Sequence, residues 1–457
     1  MKRLLDAAGG LLGLLVVAAL GIGLIALLRV QPTTGRVSPL VSPTAMLAAQ
    51  SPLSTPTPRP TFTKVPAPPT QTPSPTFTPA PPTSTPVPLP TLIAGWQTFV
   101  YATTKEGRPE LYRFQVDGAA HKTGLVYRVD THAWPTSRTY IEGLYPSPDG
   151  KRVAIAWVYG EGGTFVSILN VNNGQLTPLF GEGAKIDQRV FFLDWSHDGN
   201  DLLVLGGIDN HDLKGSAWLI DVDTHKYSSV PIKQTNYDAR EITSASFSPD
   251  GKAIAYARTS CYQCGSEVWR VALDKTDQQL LFKVPEFRVE DVLWSPDGRY
   301  IAFTQWREST EASAFAIGEL RVAEVGGNET RLISPALTGY SRSAPVWSPD
   351  SKQIAFVMND ETKLSQRLDE LYSNVYVAEV SSGSVRQLTQ FNRAQTLAPL
   401  WSPDGSMIAF VSSLDSVPER LELWAMKTDG REVHRIDESR SLTVNTNTAK
   451  VAIVWLP

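Results

Sequence analysis

From Tyr145 onward, short apolar runs recur along the chain, each followed by a segment of alternating polarity. Val153 to Trp157 (VAIAW), Ala253 to Ala257 (AIAYA), Ile301 to Gln305 (IAFTQ), Ile354 to Met358 (IAFVM) and Ile408 to Ser412 (IAFVS) are rich in the β-branched and aromatic residues that pack on pleated surfaces, and each predicts a strand. Behind them, Glu267 to Leu273, Glu319 to Val325, Asn374 to Val380 and Glu422 to Thr428 predict a further strand with one wet and one dry face. A Gly- or Asp-marked turn then leads to a polar segment such as Ser384 to Thr389, which suits an outer edge facing water.

One phrase precedes every apolar run. It reads YPSPDG at Tyr145 to Gly150, WSHDG from Trp195, FSPDG from Phe247, WSPDG from Trp294, WSPDS from Trp347 and WSPDG from Trp401. Proline fixes φ, aspartate favours the next position and glycine accepts positive φ at the exit, so the phrase is a tight turn between two strands. The aspartates Asp149, Asp198, Asp250, Asp297, Asp350 and Asp404 are 49, 52, 47, 53 and 54 residues apart, the length of one four-stranded unit plus variable loops. Before the first phrase, Phe99 to Thr103, Glu110 to Val116 and Lys122 to Arg128 read as second, third and fourth strands without a first. The missing strand lies at the other end, where Val451 to Pro457 (VAIVWLP) overlays on Leu397 to Pro403 (LAPLWSP). The expected fold is therefore an all-β, seven-bladed β-propeller over residues 93–457, closed by amino- and carboxyl-terminal strands in one blade. Six blades follow instead if the terminal strands pair some other way.

These repeats resemble the TolB-like, Trp-Asp-repeat-like β-propeller family, whose signature is a W/F-S-P-D-G turn followed by an I-A-F strand. The resemblance covers roughly Trp96 to Pro457, with His197 in place of proline in the second phrase and Ser351 in place of glycine in the fifth. It implies a binding scaffold of the cell envelope that acts through protein contacts.

The amino-terminal segment is organised differently. Residues 1–6 read as a short cytoplasmic terminus, and Ala7 to Leu28 is an uncharged apolar run of 22 residues, long enough for a transmembrane helix or signal anchor across a bilayer core of ~30 Å. Residues 31–92 read as a disordered Pro/Ser/Thr-rich stalk: Gln31 to Pro90 holds 18 of the chain's 34 prolines and no acidic residue. The expected location is a single-pass membrane protein with its propeller on the extracytoplasmic side, periplasmic or at the cell surface.

Candidate chemistry is sparse. With 42 basic against 46 acidic residues, no electrostatic case exists for nucleic acid. No motif demands a metal or cofactor, no G-x-S-x-G elbow or P-loop occurs, and the chain ends within the propeller, so the expectation is a protein without enzymatic activity. Cys261 and Cys264 form one C-x-x-C, a disulfide candidate, with a reactive dithiol or a zinc site as the alternatives. The six phrase aspartates read as turn residues that satisfy local backbone N–H groups. Long loops gather on the face opposite the phrase turns. There Leu364, Leu368, Leu371 and Tyr372 have the spacing of a short amphipathic helix, either packed on the propeller or docking a partner. Arg138, Arg189, Arg240, Arg288, Arg342, Arg393 and Lys450 precede the inner strands and are expected to ring the channel mouth, as inter-blade ion pairs or as a grip on an anion. The expected function is a membrane-anchored, non-catalytic protein-binding scaffold of the cell envelope with an envelope or extracellular protein as partner. The alternative is a sensor or binding protein for a small anionic ligand or glycan at the channel mouth.

Overall fold

The computed structural model describes residue 92 and residues 94–456, except 106–107, 121–126, 130–138, 160–162, 180–191, 206–216, 233–240, 260–264, 275–276, 308–316, 328, 339–342, 360–371, 392–393, 415–420 and 437–451. The expected transmembrane segment and stalk fall outside this set. Among the described residues no helix is long and apolar enough to cross a membrane.

Among the described residues twenty-eight strands form seven four-stranded antiparallel sheets, so the count of blades is seven and not six. Blades 2 to 7 are contiguous in sequence, spanning residues 139–178, 192–229, 241–284, 288–338, 346–387 and 396–435. Blade 1 is composite. Gln97–Lys105, Arg108–Val116 and Tyr127–Val129 supply three strands, and Ile453–Leu456 supplies the innermost one. Its register opposes Thr98 to Leu456, Phe99 to Trp455, Val100 to Val454 and Tyr101 to Ile453.

The core follows from the period-two pattern. Each sheet shows one face to the blade before it and one to the blade after, so both faces must be apolar, and the second strands are buried along their length, as in Ala253–Thr259 and Met407–Ser412. The buried apolar side chains fall into seven clusters, each shared by two neighbouring blades. The cluster at the seam of blades 7 and 1 holds Phe99, Phe114, Met407, Trp455 and Ile453, with the Phe99 and Trp455 rings 4.6 Å apart.

Inner strands carry a recurring irregularity. A β-bulge interrupts Thr139–Pro146 at Glu142, Glu241–Phe247 at Thr243, Arg288–Trp294 at Glu290 and Thr396–Trp401 near Ala398. Ala398 has a positive φ of 50° there, as bulged residues can. The bulges bend the inner strands and step the ladder register past a residue at each bend.

Candidate functional site

Each phrase turn is a compact hydrogen-bond unit. Ser248 Oγ donates to Asp250 Oδ1 at 2.6 Å, and Asp250 Oδ1 accepts the Lys252 N–H at 3.1 Å. Ser248 Oγ also accepts the Ala253 N–H at 3.0 Å, and Gly251, at φ 67°, donates its N–H to the Ser248 carbonyl. The same serine-to-aspartate bond recurs at 2.6–2.7 Å in the other five turns, at Asp149, Asp198, Asp297, Asp350 and Asp404. All six carboxyls sit below the usual carboxylate range. At Asp198, Asp250, Asp350 and Asp404 the serine hydroxyl is the leading cause. At Asp149 and Asp297 partial desolvation pulls upward most strongly, and the serine and backbone donors together outweigh it.

The turns are clamped to their neighbours. Trp195, Trp347 and Trp401 each donate the indole N–H to an inner-strand carbonyl of the preceding blade, at Tyr145 (2.9 Å), Leu293 (3.1 Å) and Val346 (3.2 Å). In the opposite sense around the ring, arginines reach turn carbonyls of the following blade. Arg113 reaches Val171, Arg152 reaches Gly199, Arg331 reaches Ser381 and Arg386 reaches Thr428 and Asp429. A charged donor makes each of these bonds stronger than a neutral one.

Charge is unevenly distributed over the described inner strands. The inner strands of blades 2 to 5 contain Glu142, Asp194, Glu241, Glu290 and Asp291 against a single guanidinium, Arg288, whereas Ile453–Leu456, Val346–Trp347 and Thr396–Trp401 contain no charged residue. Asp194 Oδ1 accepts its neighbour's N–H at Trp195 (2.9 Å), and Oδ2 accepts the Phe247 N–H of the next inner strand (2.8 Å). Burial pushes the Asp194 carboxyl up to about 6, and these two backbone bonds hold it back only in part. Ser244 and Ser343 do the same task without charge, their Oγ atoms accepting the N–H groups of Val292 (2.9 Å) and Ala398 (2.7 Å) in the following blades. Asp291 Oδ2 accepts the Thr304 hydroxyl at 2.6 Å.

Of the basic residues expected at the channel mouth, Arg288 is described: half-buried, its Nε lies 3.8 Å from Glu290 Oε1. Arg138, Arg189, Arg240, Arg342, Arg393 and Lys450 lie outside the described residues, as do Cys261, Cys264, Leu364, Leu368 and Leu371. Tyr372 is half-buried immediately before the strand Ser373–Glu379. Among the described residues no group of three His, Cys, Asp or Glu side chains is placed to hold a metal ion.

A carboxylate that the sequence reading did not single out recurs where the third strand begins. Glu110 pairs with Arg128 (3.0 Å), Glu267 with Arg258 (3.0 Å), Glu319 with Arg321 (2.8 Å) and Glu422 with Arg435 (3.1 Å). Arg258 also lies over the Trp269 ring at 4.5 Å, and the Trp269 indole donates to Glu267. The shared opening of ELYRF, EVWRV, ELRVA and ELWAM carried the signal for these glutamates. Nothing comparable marked Asp194.

Comparison with known proteins corrects part of the sequence reading. Residues 196–315 match the description "Dipeptidyl peptidase IV (DPP IV) N-terminal region". The chain is similar to the uncharacterized peptidase YuxL of Bacillus subtilis, with 27% identity over 204 residues, or 38% of this chain and 30% of that protein. It is similar to dipeptidyl-peptidase 5 of Porphyromonas gingivalis, with 23% identity over 153 residues, or 33% of this chain and 21% of that protein. The chain thus spans less than a third of either relative's length. The oligogalacturonate lyase of Vibrio parahaemolyticus shares the fold at a TM-score of 0.50 and 11% identity, covering 78% of this chain and 88% of that one. The expectation of a non-catalytic scaffold without enzymatic activity is overturned by the peptidase relatives and the dipeptidyl peptidase match. Its physical weakness was that turn and strand patterns specify a ring and are silent on function.

Residues 291–452 match the "TolB beta propeller domain". With the same phrase turn repeated from blade 2 to blade 7, the repeats of this propeller are TolB-like.

Proposed function

We propose that this chain works in peptide hydrolysis, as the propeller of a peptidase that receives the peptide substrate. The observation that carries this reading is the match of residues 196–315, which run from the phrase turn of blade 3 into blade 5, to the dipeptidyl peptidase IV N-terminal region. Support also comes from the similarity to two named peptidases and from the uneven distribution of inner-strand carboxylates. Carboxylates gathered on four neighbouring inner strands favour a substrate end that carries a free amino group over the same end acetylated.

The test is hydrolysis of a defined peptide library by the purified chain, read by mass spectrometry, with free and acetylated amino termini compared. Cleavage that prefers free amino termini, with KM raised several-fold by Asp194→Asn and Glu290→Gln together and kcat little changed, is the expected result. Absence of cleavage from every peptide, together with no measurable binding of free-amino peptides, sinks the reading.

The anchor and stalk belong to the same proposal. We infer that residues 7–28 hold the chain in a membrane and that residues 31–92 extend the propeller away from it on the extracytoplasmic side. Retention of the full chain in the membrane pellet after carbonate washing, and its release when residues 1–30 are removed, is the expected outcome.

A further inference from the structure

The innermost strand of blade 1 comes from the opposite end of the described chain to the rest of its blade. Ile453–Leu456 sits in a slot formed by Gln97–Lys105 and the two flanking blades, and the Ala102 N–H adds a bond to the Ala452 carbonyl. Both faces of the slot are specific. Ile453 and Trp455 pack towards blade 7 with Phe99 and Leu397, while Ala452, Val454 and Leu456 pack towards blade 2 with Val100, Ile141 and Trp157. All five residues from Ala452 to Leu456 are buried, at 3–7% exposure.

Among the described residues no ion pair or disulfide holds this strand; backbone bonds and apolar packing do. Its Trp455 indole N–H has no acceptor, whereas the indoles of Trp195, Trp347 and Trp401 each bond the preceding blade. Residues 437–451 join it to Ile436 at the end of blade 7. Every contact in the slot is the same whichever molecule supplies the strand. The balance between closure in cis and in trans is therefore set by effective concentration, which is on the order of millimolar for a short connection.

We propose that two copies of this chain exchange Ile453–Leu456, each closing the other's ring. A second copy is the occupant that fits, because the slot requires a short strand with an aromatic residue on the blade 7 face and branched aliphatics on the blade 2 face, and the chain's own Ile-Val-Trp-Leu meets that requirement on both sides. Closed monomers dominate at micromolar concentration. Exchanged pairs form as the concentration of chains approaches the millimolar range.

Thr98 and Leu456 face each other in the register, so cysteine at both positions reports occupancy of the slot. A chain carrying both Thr98→Cys and Leu456→Cys is oxidised with glutathione disulfide and should cross-link internally. Two further full-length chains, one with Thr98→Cys and one with Leu456→Cys, are mixed over a tenfold concentration range reaching about 0.5 mM. The expected result is a covalent pair joining residue 98 of one chain to residue 456 of the other, identified by peptide mass spectrometry, with its fraction rising about tenfold across the range at low conversion. Complete internal cross-linking without any 98-to-456 pair at the highest concentration overturns the proposal. Failure of the doubly substituted chain to cross-link overturns it too, since the strand would then not occupy the slot.

Discussion

Asp194 stands where Leu293, Val346, Leu400 and Val454 stand in other inner strands, and a carboxyl in place of an apolar side chain makes stability depend on pH. Its folded value near 6 lies above the ordinary 3.8, so between those limits the folded chain holds a proton that the unfolded chain has released. Stability then falls as pH rises through that window. Linkage sets the loss at no more than about 3 kcal/mol, reduced by the part of the side chain that meets water. Asp194→Asn should flatten this part of the profile in denaturant melts between pH 4 and 6.5, while an unchanged slope would remove Asp194 as its source. The indole clamps give a second test at the same scale. Trp347→Phe leaves the Leu293 carbonyl without its donor and should cost about 1–3 kcal/mol, part of it from lost packing. Trp294→Phe should cost less, because the Trp294 indole N–H has no hydrogen-bond acceptor to lose.

The phrase turn is the element most legible in the sequence, and Ser351 shows why its one lapse from glycine is tolerated. Ser351 adopts φ 62°, in the left-handed region that favours glycine, but its hydroxyl accepts the Asp297 N–H of the preceding blade at 2.9 Å. Ser351→Ala keeps the strain and loses the bond, with an expected cost of about 1–2 kcal/mol; Ser351→Gly relieves the strain and should lie within about 1 kcal/mol of the parent. Equal losses for both would mean that the hydroxyl contributes nothing. The turns also set an acid limit. Their carboxyls are depressed, so the stability they contribute is present above pH 4 and is lost as pH falls through their folded values. Strand order and closure could be read from the sequence because period-two burial and turn chemistry are local. The partners of the third-strand glutamates could not, since Arg258 comes from the second strand of its blade, Arg321 from the third and Arg435 from the fourth, and no fixed spacing connects them. Asp194 was equally hidden, because its main partner, Phe247, lies 53 residues away in another blade.

At the scale of the whole molecule, seven apolar seams close on one another, and the stability of each depends on the ring being complete. Removing residues 452–457 uncovers Phe99 and Val100 and strips Trp455 from the seam, a loss of roughly 5 kcal/mol or more from burial alone. A large fall in melting temperature with exposure of dye-binding apolar surface is expected; an unchanged melt would show that the ring holds without this strand. The outer edges are guarded in two ways. Five of the seven fourth strands are only two or three residues long, and the longer Gln278–Val284 and Thr330–Thr338 are interrupted by bulges.

Among the described residues the clamps are unevenly spread over the ring's thickness. Indole and guanidinium donors gather at the face of the phrase turns, where charge-assisted bonds span neighbouring blades, whereas the inner-strand ties at Ser343 and Ser266, towards the other face, are neutral hydroxyl contacts. Mechanically, the described charge-assisted pins hold the spokes at one rim. Thermal strain should spread the blades fanwise at the rim held by neutral contacts first, and amide protons beside the phrase turns should be the last of the ring to exchange with solvent.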